Sequence, residues 1–385
     1  MVDADADTDA DADTVLECPG SPVEEIRWEP ITELEVPQIS QGRQRNHRSR
    51  RPTLVRENLW PYLGTIITHT FTKSVELGYY AGRWQRTKIV VLRKPGKADY
   101  TVPGAYRPIS LLNTLEKLSE AVIAMRLFTG PSRIKLLPGT QFGGRPGRNT
   151  EQALLVLANA VDRAWLQKRS RVVTLIAFDL KGAFNGVNKT SLESMPTGQR
   201  YSCYSQTVDL QLHGKPICEY SFDDFQTQLS PLENAGLAHG SPLSPILFTF
   251  FNSDLVDQPV DAKGGASAFI DDYFRWRAGP SAEENLRKLQ KEDIPRTEAW
   301  AQRTSSCFAA EKTELIHLSG NKELNQGEIT MNGKVIKPTA AVKLLGVVFD
   351  KELRWKEHVQ QVLERATKVK IALGGVRHLR PNQGV

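Results

Sequence analysis

SAFIDDYFRW (267–276) is two apolar half-strands around a pair of aspartates, and it reads as a β-hairpin with Asp271 and Asp272 at its tip. Upstream, VVTLIAF (172–178) is a short apolar run rich in β-branched residues. Such a run reads as a buried central strand, and Asp179 follows at its C-terminal end. Carboxylates beside apolar strands are costly to bury unless they are paired or bound to metal. Acids from two neighbouring strands can converge on a pair of divalent cations, the arrangement that phosphoryl and nucleotidyl transfer requires. Mg²⁺ suits it, because it takes carboxylate oxygens together with substrate phosphates. Taken alone, an Asp-Asp pair is most often a solvated turn. The strand context that it shares with Asp179, together with the motifs below, reverses that reading.

Working outward, residues 53–81 read as a helix and KIVVLRK (88–94) as a short buried strand. LLNTLEKLSEAVIAMRL (111–127) has apolar residues at helical spacing, and so does 150–168, where Leu154, Ala158, Val161 and Trp165 share one face. The apolar stretch 243–256 follows a Gly-Ser-Pro turn and reads as a helix. Ser281 and Glu284 form a capping box that opens a helix to about 303. Asn332-Gly333 between apolar flanks (328–338) is the strongest short hairpin signal. VKLLGVVF (342–349) reads as a strand and 356–373 as a helix. Strands and helices alternate irregularly and no internal repeat is visible, which favours an α+β fold over a parallel doubly wound sheet.

The chain has 385 residues, enough for one large domain or two to three subdomains. Hydrophobic residues make up 40% and charged residues 24%, a globular balance that supports a sizeable core. The net charge of +6 suits a polyanionic partner. It is unevenly spread. Asp occupies every odd position from Asp3 to Asp13, and QGRQRNHRSRR (41–51) carries five arginines. The sequence therefore predicts a disordered tail over 1–51, acidic and then basic. The basic run reads as a solvated linker in preference to a nucleic-acid or nuclear-import patch. None of the four cysteines forms a CxxC pair, so neither a zinc site nor a redox motif is indicated. No apolar run approaches a membrane span, and the acidic N-terminus is not a secretory signal. An intracellular protein with reduced thiols and no membrane partner is expected.

FDLKGAF (178–184), GLAHGSPLSPILF (236–248) and FIDD (269–272) occur in that order and resemble motifs A, B and C of reverse transcriptases. AYRPISLLN (105–113) is similar to the fingers motif that precedes motif A, and QFGGRPGRNTEQAL (141–154) to the motif of non-LTR and group II intron enzymes. AAEKTELI (309–316) resembles motif D, and KLLGVVFDKELRWKEHV (343–359) resembles motif E and the start of the thumb. The likeness covers roughly 53–193 and 221–380, and is strongest to non-LTR (LINE-like) retrotransposon enzymes of the fungal type. A group II intron maturase shares the early motifs, but FIDD and the later segments fit retrotransposon elements better.

The resemblance implies a right hand. Fingers would span 52–170, the palm 171–350 and a partial thumb 351–385, with an antiparallel palm sheet and helices packed on one face. It implies an RNA-directed DNA polymerase that extends a DNA 3′-end on an RNA template with dNTPs, using two Mg²⁺ ions, with Mn²⁺ as a substitute. Asp179 and Asp271 would be the principal metal ligands and Asp272 a supporting one. The Leu180 carbonyl would face the same site, and Phe184 would be a steric gate against a 2′-hydroxyl. Lys94 and Arg107 would contact the triphosphate, with Arg93 and Lys97 as rivals to Lys94. His239 and Gly240 belong to the nucleotide platform. Lys312 would be the general acid for pyrophosphate, and Leu345 and Gly346 the primer grip. Action in the nucleus and in a cytoplasmic ribonucleoprotein is implied by the family alone.

Two departures stand out. Motif B normally carries Gln where this chain has His239, which predicts reduced activity or fidelity. Residues 194–220 lack the helical periodicity of the family's palm helix and gather Cys203, Cys218 and three of the nine tyrosines. A compensated frameshift in a decaying element copy would explain that patch. The thumb also reads as short, and no endonuclease segment precedes the fingers, so a separate nicking activity is expected. The competing expectation is a catalytically impaired remnant retaining at most RNA binding.

Overall fold

The structure is a computed structural model that describes residues 30–36, 51–79, 81–84, 86–128, 137–168, 171–187, 192, 217–231, 236–320 and 327–377. It begins with α1 (Arg51–Glu76), β1 (Arg86–Arg93), β2 (Tyr106–Leu111), α2 (Thr114–Phe128) and α3 (Thr150–Gln167). Then come β3 (Val172–Phe178), β4 (Ile217–Phe222), β5 (Phe225–Gln226), β6 (Ser230–Pro231), α4 (Ser244–Phe251) and α5 (Ser253–Val256). Next are β7 (Gly264–Phe269), β8 (Asp272–Gly279), α6 (Ala282–Lys288), a π-helical turn (Leu289–Asp293) and α7 (Ile294–Arg303). The chain continues through β9 (Glu314–Leu318), β10 (Ile329–Met331), β11 (Lys334–Ile336), β12 (Ala341–Leu344), β13 (Val347–Asp350) and α8 (Lys356–Arg377).

A four-stranded antiparallel sheet in the order β7-β8-β3-β9 forms the centre. Strand β3 is buried at every position but one, so both faces of the sheet need cover. On one face Val173, Leu175 and Trp276 pack in a cluster with Leu157 and Val161 of α3. On the other, Ile176 and Phe178 belong to a cluster with Leu286, Leu289 and Trp300 from the α6–α7 segment. The α+β reading with an antiparallel sheet holds, but helices expected on one face lie on both. The physical cause is legible in β3, which is apolar at successive positions instead of alternate ones.

Local chemistry sets the helix ends. Asn149 and Gln152 complete a reciprocal capping box at the start of α3. Ser281 Oγ accepts from the Glu284 N–H at 3.2 Å where α6 begins, the forward half of the expected capping box, while the Glu284 carboxylate turns to Lys288 Nζ at 2.7 Å. The π-turn then swings Asp293 inward, where its carboxylate accepts from Arg275 Nε at 2.8 Å and Arg277 Nε at 2.6 Å. Removing one member of that buried set would cost about 3–5 kcal/mol, because it leaves a charge uncompensated.

At the start of α2, Asn113 Oδ1 accepts from the Leu115 N–H at 3.0 Å and Glu116 accepts from the Asn113 N–H at 3.2 Å. Glu116 and Glu120, one turn apart, are both buried. Burial, and then repulsion from Glu120, push the Glu116 carboxyl up to about 8. A carboxyl raised by folding contributes its full stability below the unfolded value of 4.5 and loses that contribution as pH climbs through about 8. Glu116→Gln keeps the acceptor oxygen and removes the charge. It is expected to raise the melting temperature at about pH 8.5 and change it little at about pH 5. Thermal unfolding at both values checks this, and an equal gain at both would contradict it.

Four expectations change on contact with the structure. VKLLGVVF is not one strand but the hairpin β12–β13, turning at Leu345-Gly346, whose φ angles are 47° and 89°. The apolar helix over 243–256 breaks at Asn252 into α4 and α5. Of the tail expected to be disordered through 51, residues 30–36 are anchored. Ile31 and Val36 are buried, and Arg126 grips Glu35 with two bonds of 2.7 Å. A bidentate ion pair flanked by apolar burial offsets the ordering cost of so short a segment. Residues 1–29 and 37–50 lie outside the described residues. Within the patch 194–220, residues 217–220 open strand β4, which pairs parallel with β1 in a second sheet of order β2-β1-β4-β5, with β6 on β4. The rest of that patch lies outside the described residues.

Candidate active site

Strand register brings the acids together. Phe178 of β3 pairs with Tyr273 of β8, and their rings stack at 5.2 Å. Asp179 is the next residue on one strand and Asp272 the next on the other, so the two emerge at the same sheet end. Phe269 pairs with Asp272 across the β7–β8 hairpin, leaving Ile270 and Asp271 as its two-residue turn. Ile270 has φ 59°, the left-handed conformation that this turn type demands.

Beyond Asp179 the chain is tied to the segment before β9. The Ala309 N–H donates to the Asp179 carbonyl at 2.7 Å and the Lys181 N–H to the Cys307 carbonyl at 2.8 Å, on either side of a Leu180–Phe308 bridge. Neither bond uses the Leu180 carbonyl. Lys312 Nζ lies 2.8 Å from Asp179 Oδ2. Asp271 and Asp272 reach solvent at the turn, yet the surrounding protein excludes enough water to penalise their charge. That burial raises Asp271, with Asp179 adding to the rise. It pushes Asp272 up to about 6, with repulsion from Asp271 and Asp179 behind it. Clustered carboxylates of this kind form a donor set that a divalent cation would relieve. Among the described residues, no three His, Cys, Asp or Glu side chains are close enough together to hold a metal ion as they stand. Lys312 occupies the role of counter-charge on Asp179.

The facing wall comes from the GLAHGSP loop. The Leu237 N–H donates to the Phe184 carbonyl at 2.8 Å, and the Phe184 ring lies 4.8 Å from the His239 imidazole and 5.4 Å from the Phe248 ring. The Ser110 N–H of β2 donates to the His239 carbonyl at 2.6 Å. Gly240 follows with φ 121°, and a Cβ there would sit 2.5 Å from the Ser110 carbonyl oxygen. Burial lowers the His239 pKa against the pull of Asp271, with Arg107 and Lys94 lowering it further. The neutral imidazole is thereby favoured.

The basic residues gather here too. Arg107 sits opposite Leu92 in the β1–β2 pair, and Lys94 Nζ donates to the Gly104 carbonyl at 2.9 Å. Burial and repulsion from Arg107, Lys312 and Lys97 lower the Lys94 pKa, while Asp179 raises it, so these groups share one electrostatic field. Of the rivals to Lys94, Arg93 is engaged elsewhere, in an ion pair with Asp223 at 3.0 Å and over the Phe222 ring. Leu345 and Gly346 lie at the β12–β13 turn.

Two supports of the site carry little signal in the sequence. Ser241 Oγ donates to Glu120 Oε2 at 2.6 Å and accepts from the Leu243 and Ser244 N–H groups, tying α2 to the start of α4. Gln141 and Asn252 form a buried pair behind the aspartate turn. Their signal was a polar residue inside an apolar run, as Asn252 is in SPILFTFFNSDLV.

A strand-end aspartate facing a hairpin tip that carries Asp271 in its turn and Asp272 at the head of the next strand, with motif order kept, is the arrangement of a nucleic-acid polymerase palm. The family described as "Reverse transcriptase (RNA-dependent DNA polymerase)" matches residues 92–349. The chain belongs to that family, whose members generally use divalent metal ions. Its relatives include the RNA-directed DNA polymerase from mobile element jockey of Drosophila melanogaster, 26% identical over 78% of this chain and 33% of that protein. They also include the probable RNA-directed DNA polymerase from transposon X-element of the same species, 26% identical over 78% of this chain and 32% of that protein. These matches bear out the resemblance to non-LTR retrotransposon enzymes. The chain spans about a third of the length of these relatives. Among solved structures, apo telomerase from Candida tropicalis truncated from its C-terminal domain is 14% identical over 71% of this chain and 59% of that one, with a TM-score of 0.42. No helix among the described residues is long and apolar enough to cross a membrane.

Proposed function

We propose that this chain extends a DNA 3′-end on an RNA template with dNTPs, by two-metal nucleotidyl transfer at Asp179, Asp271 and Asp272. The observation that carries the reading is the β3–β8 register, which delivers the first of these acids beside the turn that holds the other two. Fingers, palm and thumb would divide near 170 and 350.

Asp179 and Asp271 would hold the ions, with Asp272 beside them and the Leu180 carbonyl within the same corner. When bound, the ions supply Lewis-acid activation of the 3′-hydroxyl and neutralise charge on the triphosphate. Arg107 offers a forked donor to phosphate and Lys94 a point charge. Phe184, held between His239 and Phe248, presses where a ribose 2′-hydroxyl would project. Lys312, released from Asp179, would hand a proton to the departing pyrophosphate. Leu345 and Gly346 would support the primer strand.

Primer extension on a homopolymer RNA template with Mg²⁺ tests the reading. Template-dependent incorporation of dNTPs supports it, and RNA binding without incorporation would point to an impaired remnant instead. His239 supplies one donor or acceptor at each ring nitrogen where an amide supplies both kinds on a longer arm. His239→Gln is accordingly expected to raise incorporation about threefold, roughly the contribution of a single recovered hydrogen bond. Steady-state rates at saturating template check this, and no gain would count against the platform role of His239.

A further inference from the structure

The aspartate turn is conformationally expensive. Ile270 is β-branched and holds φ 59°, a region such residues avoid. A conformation of this kind persists only where the surroundings over-determine it. The surroundings here are unusually complete. Asn252 Nδ2 donates to the Ile270 carbonyl at 2.7 Å, and Asn252 Oδ1 accepts from Gln141 Nε2 at 2.9 Å. Gln141 Oε1 in turn accepts from the Gly143 N–H at 3.2 Å. Both amides are buried, at 0% exposure for Gln141 and 2% for Asn252. The chain carrying Gln141 runs alongside β7. The Phe142 N–H donates to the Ala268 carbonyl at 2.8 Å, and the Ala268 N–H to the Thr140 carbonyl at 3.0 Å. Gly143 then passes so close to the turn that a Cβ would lie 2.2 Å from the Ile270 nitrogen and 2.4 Å from its Cγ1.

We propose that Gln141 and Asn252 are positioning residues that clamp the Ile270-Asp271 turn, with Gly143 as the close-fitting wall, so that Asp271 and Asp272 face Asp179. The inference rests on the metal-site reading above. The order of donors is specific. Gln141 fixes the orientation of the Asn252 amide, and that orientation presents a donor, not an acceptor, to the Ile270 carbonyl. Without it, the turn can relax to a conformation with negative φ at Ile270, which re-aims the two carboxylates. Lys94, Arg107 and Phe184, the residues proposed to meet the dNTP, take no part in these bonds.

Asn252→Leu keeps size and removes both bonds. Gln141→Met leaves the Asn252 bond to Ile270 in place but removes the fixing amide and its bond from the Gly143 N–H, and serves if Asn252→Leu does not fold. Mn²⁺ binding is read by electron paramagnetic resonance on the full chain, beside primer extension across a Mg²⁺ series, with Asp271→Ala as the reference. Second-layer partners of metal ligands commonly contribute tenfold or more, so the clamp variants are expected to weaken Mn²⁺ binding and lower kcat by about tenfold. The KM for dNTP is expected to stay within about twofold, a split that general loss of structure would not give. Adding Ile270→Gly, which holds positive φ without a clamp, is expected to recover part of the loss. Unchanged Mn²⁺ affinity and kcat in a folded clamp variant, while Asp271→Ala loses both, would overturn the clamp alone. Asp271→Ala that keeps both would overturn the metal-site reading instead.

Discussion

Asp271→Ala is expected to cut single-turnover nucleotide incorporation by about a thousandfold or more, with little change in fold or RNA binding. The size of the effect follows from the geometry. Asp271 is in the β7–β8 turn, one residue before Asp272, which lies level with Asp179 at the end of β3. Removing Asp271 leaves Asp179, already paired with Lys312, and Asp272, whose charge burial and Asp179 still oppose. The proposed metal site would then keep two of its three carboxylates. Stability is expected to hold, because the lost side chain is exposed and its neighbours repel it. Rapid-quench measurement of the first incorporated nucleotide, with circular dichroism as a fold control, checks the expectation. Incorporation within about tenfold of the parent chain would contradict it.

Phe184→Ala is expected to erode the preference for dNTPs over rNTPs by about a hundredfold. The ring does not float. His239 at 4.8 Å and Phe248 at 5.4 Å fix its plane, and the Phe184 carbonyl accepts from the Leu237 N–H. A ring so held cannot swing aside for an added hydroxyl, whereas alanine leaves room for it. The kcat/KM ratio for the two nucleotide classes is the quantity to compare, with dNTP incorporation itself retained. An unaltered ratio would show that the gate lies elsewhere.

Much of the centre was legible because its signals are local. The β-branched run of β3, the β7–β8 hairpin around Asp271, the Asn332-Gly333 hairpin and the Ser281 cap each report a backbone need within a few residues. Asn332 at φ 49° and Gly333 at φ 73° meet the turn type that dipeptide announces. What stayed hidden depends on partners distant in sequence. Nothing near Ile31 or Val36 tells that Arg126 awaits Glu35. Nothing in ICEYSF (217–222) tells that it lies parallel to β1, with Glu219 near Lys88 at 3.8 Å. The break at Asn252 looked like helix because its neighbours are apolar, and its reason appears only when the Ile270 carbonyl is beside it. Leu345-Gly346 reads as the inside of a strand because Leu is a poor signal for a positive φ. The basic residues were found as a group, but Arg93 could be set apart only once Asp223 and Phe222 were seen to hold it.

The central claim is that the acids at the end of β3 and at the β7–β8 turn share divalent cations. Its most direct measurement is an anomalous difference map of crystals grown with Mn²⁺, primer-template and a non-reacting dNTP analogue. Two peaks about 4 Å apart between Asp179 and Asp271 are the expected result. Peaks bound elsewhere, with Lys312 still seated on Asp179 and the turn carboxylates unligated, would contradict it.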